Sequence, residues 1–324
     1  MNNPATIHNP QTLRAFLWEI LKPYKWWCLL MLQAPLFSAF YVFGYNYSLK
    51  LLINAFSNEP RIEYSQLVFP IFLFMAAQIG LDVSWRFSNF AEMKAEPSAR
   101  RTLLLRAYNY TQYHSYSFFQ NTHTGSVISK LKGILEGFDY VLNLHHTLLR
   151  SFCIVFLSIA TLLFVNVPIF LFMLGWCILL FFVMYPMCLK LNQLSNEFAE
   201  SNHRIIGIFS DNITNIFSLL SFAKRKNELS RIETLISTDC LPKHVELEKY
   251  NFKFSLIGGV FYGFMLLSVL LFMVHLRKNS TISIGDFLFV MLITLTIGDF
   301  MWVLISGMGD FMKKTGTLGR LILC

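Results

Sequence analysis

Six stretches of about 20 mostly apolar residues decide what this chain can become. They run from about Trp26 to Tyr47, Gln66 to Trp85, Leu148 to Val165, Ile169 to Leu189, Phe254 to His275 and Phe287 to Met308. Each is long enough to cross a hydrocarbon slab about 30 Å thick as a helix. Lipid offers no partners to backbone N–H and C=O groups, so a crossing segment satisfies them internally. Composition agrees: 55% of the 324 residues are hydrophobic, 33 are Phe, and only 14% are charged, against about a quarter in soluble domains. Mean hydropathy is +0.49. The expected fold is an all-α membrane protein with six long transmembrane helices. Aromatic residues at span edges, such as Trp26, Trp27, Tyr45 and Tyr47, suit interfacial belts.

The loops alternate in length. Spans one and two, three and four, and five and six are joined by short connections near 54–63, 166–168 and 278–285. The other two connections are each about sixty residues long. Of the 27 Lys and Arg residues, only Lys50, Arg61, Arg277 and Lys278 fall on the short-loop side. Positive charge collects on the cytoplasmic side of membrane proteins, so both termini and both long loops are expected there. Net charge is +8, yet no basic run is long enough to track a phosphate backbone, and no nucleic-acid partner is expected. The six cysteines form no CxxC pair and no metal spacing with His. Cys28, Cys153 and Cys177 lie in apolar runs and read as small buried hydrophobes. The first 16 residues lack a basic region followed by a cleavage site, so no removable leader is expected.

Before span one, LRAFLWEILKPYKWW places Leu13, Phe16, Leu17, Ile20 and Leu21 near one helical face, with Arg14, Glu19 and Lys22 off it. Pro23 ends the pattern. Residues 1–25 are therefore expected to carry a helix lying in the membrane interface.

The two long excursions, about 87–147 and 190–253, keep apolar residues at helical spacing. Leu103, Leu104, Ala107 and Tyr108 form a stripe, and so do Val127, Leu131, Ile134, Leu135, Phe138 and Val141. Helices are expected to run on from the spans, turn and come back. A helix from residue 66 to 113 would measure on the order of 70 Å, leaving about 40 Å beyond the hydrocarbon. Pro97 and Pro242 are expected to kink or interrupt these rods. The first hairpin is tipped by SYSFFQNTHTG, with Gly125 permitting the turn and Ser126 capping the returning helix. The second is tipped by DNITNIFSLLSFAKRKNE. Each tip offers apolar residues far from the bilayer, and such patches mark interfaces.

In order and spacing these segments resemble the transmembrane domain of ATP-binding cassette (ABC) exporters of the six-helix type. The resemblance covers nearly the whole chain. LRAFLWEILKPYKWW resembles the elbow helix and the entry to span one. SYSFFQNTHTGSVISKL and NITNIFSLLSFAKRKNE resemble the two coupling segments, and STISIGDFLFVMLIT resembles the entry to span six. The family implies an elbow over 1–25 and a transmembrane domain over 26–324. Coupling helices would dock into cytoplasmic ATPase domains, at about Ser115–Asn121 and Asn212–Ser218. The implied site residues are Phe118, Phe119, Gln120 and Asn121 in the first and Asn212, Asn215, Ile216 and Phe217 in the second. A second transmembrane half, most simply an identical copy, is implied, with spans four and five crossing to it. So are a bacterial inner membrane and a small or amphipathic cargo. The sequence departs from full transporters in one respect: neither GxxxxGK[ST] nor an LSGGQ-like signature occurs in it. No catalytic site, metal or cofactor is therefore expected in this chain, and ATP and Mg are expected on an ATPase domain outside it.

Four charges fall in or beside the spans and are cavity candidates. Asp82 and Arg86 can pair at i,i+4 spacing; Arg150 opens span three; Asp299 lies near the middle of span six. Ionisable groups at membrane depth face a cavity or a partner. His145 and His146 fall beside the interface, where a solvated role is expected. Two other functions remain open on the residues alone: an ion-coupled secondary transporter using Asp82, Arg86 and Asp299, and a non-transporting membrane scaffold.

Overall fold

The computed structural model describes residues 13–58, 63–113, 115–117, 124–221, 225–279 and 281–323, with side chains over 15–57, 63–113, 115–117, 131–221, 225–279 and 281–307. Among the described residues every regular element is helical. The helices are α1 (Leu13–Leu21), α2 (Lys25–Asn58), α3 (Tyr64–Gln112), α4 (Thr124–Leu142), α5 (Leu148–Thr161), α6 (Val167–Thr214), α7 (Ile216–Ser221), α8 (Arg225–Leu235), α9 (Leu241–Lys278) and α10 (Ile284–Leu323). Six helical stretches are long and apolar enough to cross a membrane, by length and composition. The chain is an all-α integral membrane protein. It falls into two compact units, residues 1–175 with 266–324, and residues 176–265.

In the first unit α2 packs against α3, α5 and α10, and α10 also packs against α4 and α5. Small residues let these backbones approach. Ala34, Ser38, Ser84, Ser88, Ser151 and Ser158 are all buried, and a Cβ on Gly44 would come within 3.1 Å of the Ala77 Cβ. One polar clamp joins α2 to α3. The Gln33 amide donates to the Ser84 carbonyl at 2.7 Å, and the Ser84 hydroxyl donates back to Gln33 Oε1 at 2.6 Å. Such bonds average about 0.6 kcal/mol between membrane helices, so packing carries most of the association.

The α1 helix forms where its apolar periodicity predicts, but its stripe meets protein. Ile20 is fully buried with Ala99 and Leu103 of α3 and Phe138 and Leu142 of α4, and Phe16, Leu17 and Leu21 pack around them. Glu19 meets Arg106 at 2.9 Å. The oily face of α1 is covered by the first hairpin, and Trp18 is exposed. The first hairpin is tied further by Arg100–Asp139 at 3.2 Å and by the Tyr140 hydroxyl, which donates to the Gly307 carbonyl at 3.2 Å.

Prolines act differently from the sequence expectation. α3 runs through Pro70 and Pro97 without interruption for 49 residues, a length of about 74 Å. Pro242 does leave a mark. A π-helical turn, Ile236–Cys240, precedes it, and the Leu241 N–H reaches back to the Ile236 carbonyl. The wider turn accommodates the ring and the missing donor where a regular i→i−4 ladder would clash.

In the second unit the two arms form a helical hairpin. Trp176 meets Phe261 at 5.6 Å between ring centroids and Phe198 stacks on His244 at 4.4 Å. The Ser201 hydroxyl donates to Asp239 at 2.6 Å. These partners pair the outgoing and returning arms in antiparallel order, with α7 between them in sequence.

Candidate functional site

Two features carry chemistry that a membrane helix bundle does not need for its own stability. One is the tip of the second hairpin. α6 ends at Thr214, and Asn215 forms the turn after it: its N–H makes a last i→i−4 bond to the Asp211 carbonyl at 3.0 Å, and its side-chain amide bonds the same carbonyl at 3.0 Å. A separate six-residue helix, α7, follows, with the Leu219 N–H on the Asn215 carbonyl. Asn212 therefore sits in the last turn of α6, Asn215 at the break, and Ile216 and Phe217 at the start of α7. Phe217 is 80% exposed and Ile213 70%, with Ile216 and Leu220 exposed beside them. The independent helix begins four residues later than the segment expected from sequence.

The corresponding part of the first tip is only partly described. Ser115 and Ser117 share a hydroxyl–hydroxyl bond at 2.9 Å, and Tyr116 is exposed. Phe118, Phe119, Gln120 and Asn121 lie outside the described residues. The returning helix starts at Thr124, so Gly125 and Ser126 belong to its first turn instead of preceding it.

The second feature is a set of charges in the first unit. Asp82 and Arg86 pair at 3.2 Å, both well exposed. Arg150 is partly buried, and its guanidinium lies 5.7 Å from the ring centres of both Trp85 and Phe300. Its Nε is buried and has no hydrogen-bond partner among the described residues. A cation held between aromatic rings without a carboxylate keeps its capacity for an anion. Asp299 is exposed on α10, next to Phe300 in sequence. The structure thus brings Arg150 to span two through Trp85 and to span six through Phe300, while Asp82 and Arg86 turn to each other.

Sequence reading missed a clasp at the short-loop end. Lys50 of α2 and Asp286 of α10 pair at 2.6 Å with side chains less than 20% exposed. Asp286 also accepts from the Ser283 N–H and hydroxyl at 3.0 and 2.7 Å, while Ser283 Oγ accepts from the Asp286 N–H. This is a capping box. Gly285 donates its N–H to Asn54 Oδ1 at 2.8 Å, and a Cβ there would fall 2.4 Å from the Lys50 carbonyl. The S-x-x-D pattern in STISIGDF could have revealed the box, but nothing local reveals Lys50. His145, expected to be solvated, is in fact buried at 4% exposure. The 3₁₀ turn Asn143–His145 tucks its ring against α3.

The six spans, the two helical excursions and the independent tip helix are the parts of one known architecture. A family model for the ABC transporter transmembrane region matches residues 28–300. The chain belongs to that family. The match begins in α2 and ends in α10, so it takes in all six apolar helices and both excursions. No curated protein matches the chain significantly. The chain is thus a membrane-spanning ABC transporter domain, a class that typically works with an ATPase domain.

Proposed function

We propose that this chain is the membrane half of an ATP-driven exporter, supplying the translocation path and the coupling elements. The observation that carries the reading is α7, a short helix that bares Phe217 and Ile216 at the end of two long helical arms. An exposed apolar tip so far along a rod has no role in crossing lipid and suits a docking groove. The groove belongs to a nucleotide-binding ATPase domain that holds ATP and Mg, and Phe118 and Phe119 make the matching contact at the first tip. Residues 1–25 act as the elbow and 26–324 as the transmembrane domain. A second copy completes the transporter, in a bacterial inner membrane with both termini cytoplasmic.

The cargo is small or amphipathic. Phe-rich spans suit its apolar part, and Arg150, aromatic-flanked and without a described carboxylate, suits an anionic group on it. The mutual pairing of Asp82 and Arg86 works against a secondary transporter built on those two charges. The test is reconstitution of the chain with a copurified ATPase partner. ATP-stimulated flux should collapse in the Ile216→Ala/Phe217→Ala variant while insertion and yield persist. Flux that follows a proton gradient and ignores that variant overturns the reading.

A further inference from the structure

Where the first hairpin leaves the spans, three potential metal ligands converge. Glu92 lies on α3, seven residues past the expected end of span two. His145 and His146 lie just ahead of span three. One donor atom from each falls within 4.8 Å of the others. Glu92 Oε2 is 3.2 Å from His146 Nε2, and the two imidazole centres are 4.0 Å apart.

We propose that Glu92, His145 and His146 form a binding site for a divalent transition-metal ion, Zn²⁺ being the best fit. Two imidazoles and one carboxylate make a common donor set for Zn²⁺, with a fourth position left to water. Ligand bonds of about 2.0–2.1 Å at tetrahedral angles put donors about 3.3 Å apart. The Glu92–His146 pair is already at that separation, and the His145 donor lies within 4.8 Å of both.

The surroundings pre-set the rings as metal sites require. His145 Nδ1 lies 2.8 Å from the Leu142 carbonyl. A carbonyl only accepts, so Nδ1 carries the proton and Nε2 keeps its lone pair. A ligating histidine is oriented in this way by a backbone carbonyl. Trp85 stacks on His146 at 5.0 Å, 12° from parallel, and fixes that ring. Ser88 Oγ stands 3.4 Å from His145 Nε2, a long contact that a metal would readily displace. Access is provided as well: the Glu92 and His146 side chains are 22% and 31% exposed, while His145 is buried.

An ion pair alone explains less. Glu92 and His146 suffice for one, yet a second imidazole is held 4.0 Å away. A metal ion takes up a lone pair from each ring. Once bound, it would pin α3 to the turn at Asn143–His145, joining the outgoing and returning arms at the root of the hairpin.

The experiment uses the full chain in detergent, purified by a tag without histidine and stripped with chelator. Titration with Co²⁺, a spectroscopic stand-in for Zn²⁺, should show one equivalent bound, with intense tetrahedral ligand-field bands that Zn²⁺ bleaches. Glu92→Gln and His146→Gln should each weaken binding by more than the roughly 10–100-fold typical of outer-shell changes. His203→Gln, an exposed histidine on α6, should change nothing. His146→Cys should bind Co²⁺ with a new thiolate charge-transfer band, which reports the site even if a ligand-loss variant folds poorly. The proposal is overturned if the wild-type chain binds no stoichiometric Co²⁺, if binding survives both ligand-loss variants unchanged, or if His146→Cys yields no such band. None of these readouts depends on the transport reaction.

Discussion

The two hairpins have similar lengths and opposite surroundings. The arms of the first are locked by Ile20, Ala99, Leu103, Phe138 and Leu142, with Arg106–Glu19 and Arg100–Asp139 at the rim. The arms of the second share few buried side chains, chiefly Leu194, Ser201, Ile205 and Phe254, and meet through a polar knot at Asp239. Ser201, Arg204 and Lys243 all converge on that carboxylate. Along the second hairpin Ile213, Phe217, Leu229 and Phe252 are exposed. A hairpin held by its own chain's apolar core is a stable prop. The first hairpin also bares Met93, Leu105, Tyr108 and Tyr113, so the difference lies in the buried apolar core that ties its arms and that the second hairpin has little of.

The largest expected effect breaks the prop. Phe138→Ala removes a fully buried ring and should cost about 3–5 kcal/mol, seen as a lower midpoint in thermal or denaturant unfolding of the purified chain. A neutral result would mean that the first hairpin is not anchored by this core. Next, Ile216→Ala/Phe217→Ala should leave unfolding within about 0.5 kcal/mol of wild type, yet weaken the docked ATPase by about 2 kcal/mol or more, read as partner affinity by titration. A large stability loss with unchanged affinity would reverse the contrast between the hairpins.

A third change probes the opposite end of the first unit. Gly285→Ala drives a methyl into the Lys50 carbonyl and should cost about 1–3 kcal/mol, detectable as a lower unfolding midpoint. The smallest effect concerns the knot in the second hairpin. Hydrogen bonds from Lys243 and Ser201 hold the Asp239 carboxyl below the ordinary carboxylate value. Its folded pKa is thus lower than its unfolded one. The stabilisation is present above the unfolded pKa and is lost as pH falls through the folded pKa. Asp239→Asn should flatten that acid limb of the stability profile, while Phe138→Ala should lower the whole profile evenly.

Much of the fold was legible in the sequence because bilayer thickness imposes a length on apolar runs. The runs near 66–85 and 169–189 became the cores of α3 and α6, and apolar spacing in 126–141 became α4. Boundaries were less legible. Asn215 splits α6 from α7 through one backbone turn, and Thr124 starts α4 ahead of Gly125. Pro97 passes within α3, which continues on both sides of it. Contacts distant in sequence were invisible: Arg150 meets Trp85 and Phe300, and Lys50 meets Asp286, only once the helices pack. The burial of His145 depends on a single 3₁₀ turn that no periodicity announces.

The central proposal is that the bare tip of the second hairpin engages an ATPase domain. Its most direct test is a photo-crosslinking amino acid placed at Phe217 in the membrane-embedded chain. The account predicts one dominant adduct, with a polypeptide carrying a P-loop, and a yield that changes when ATP is added. Adducts confined to lipid or to the chain itself, with transport intact, would contradict it.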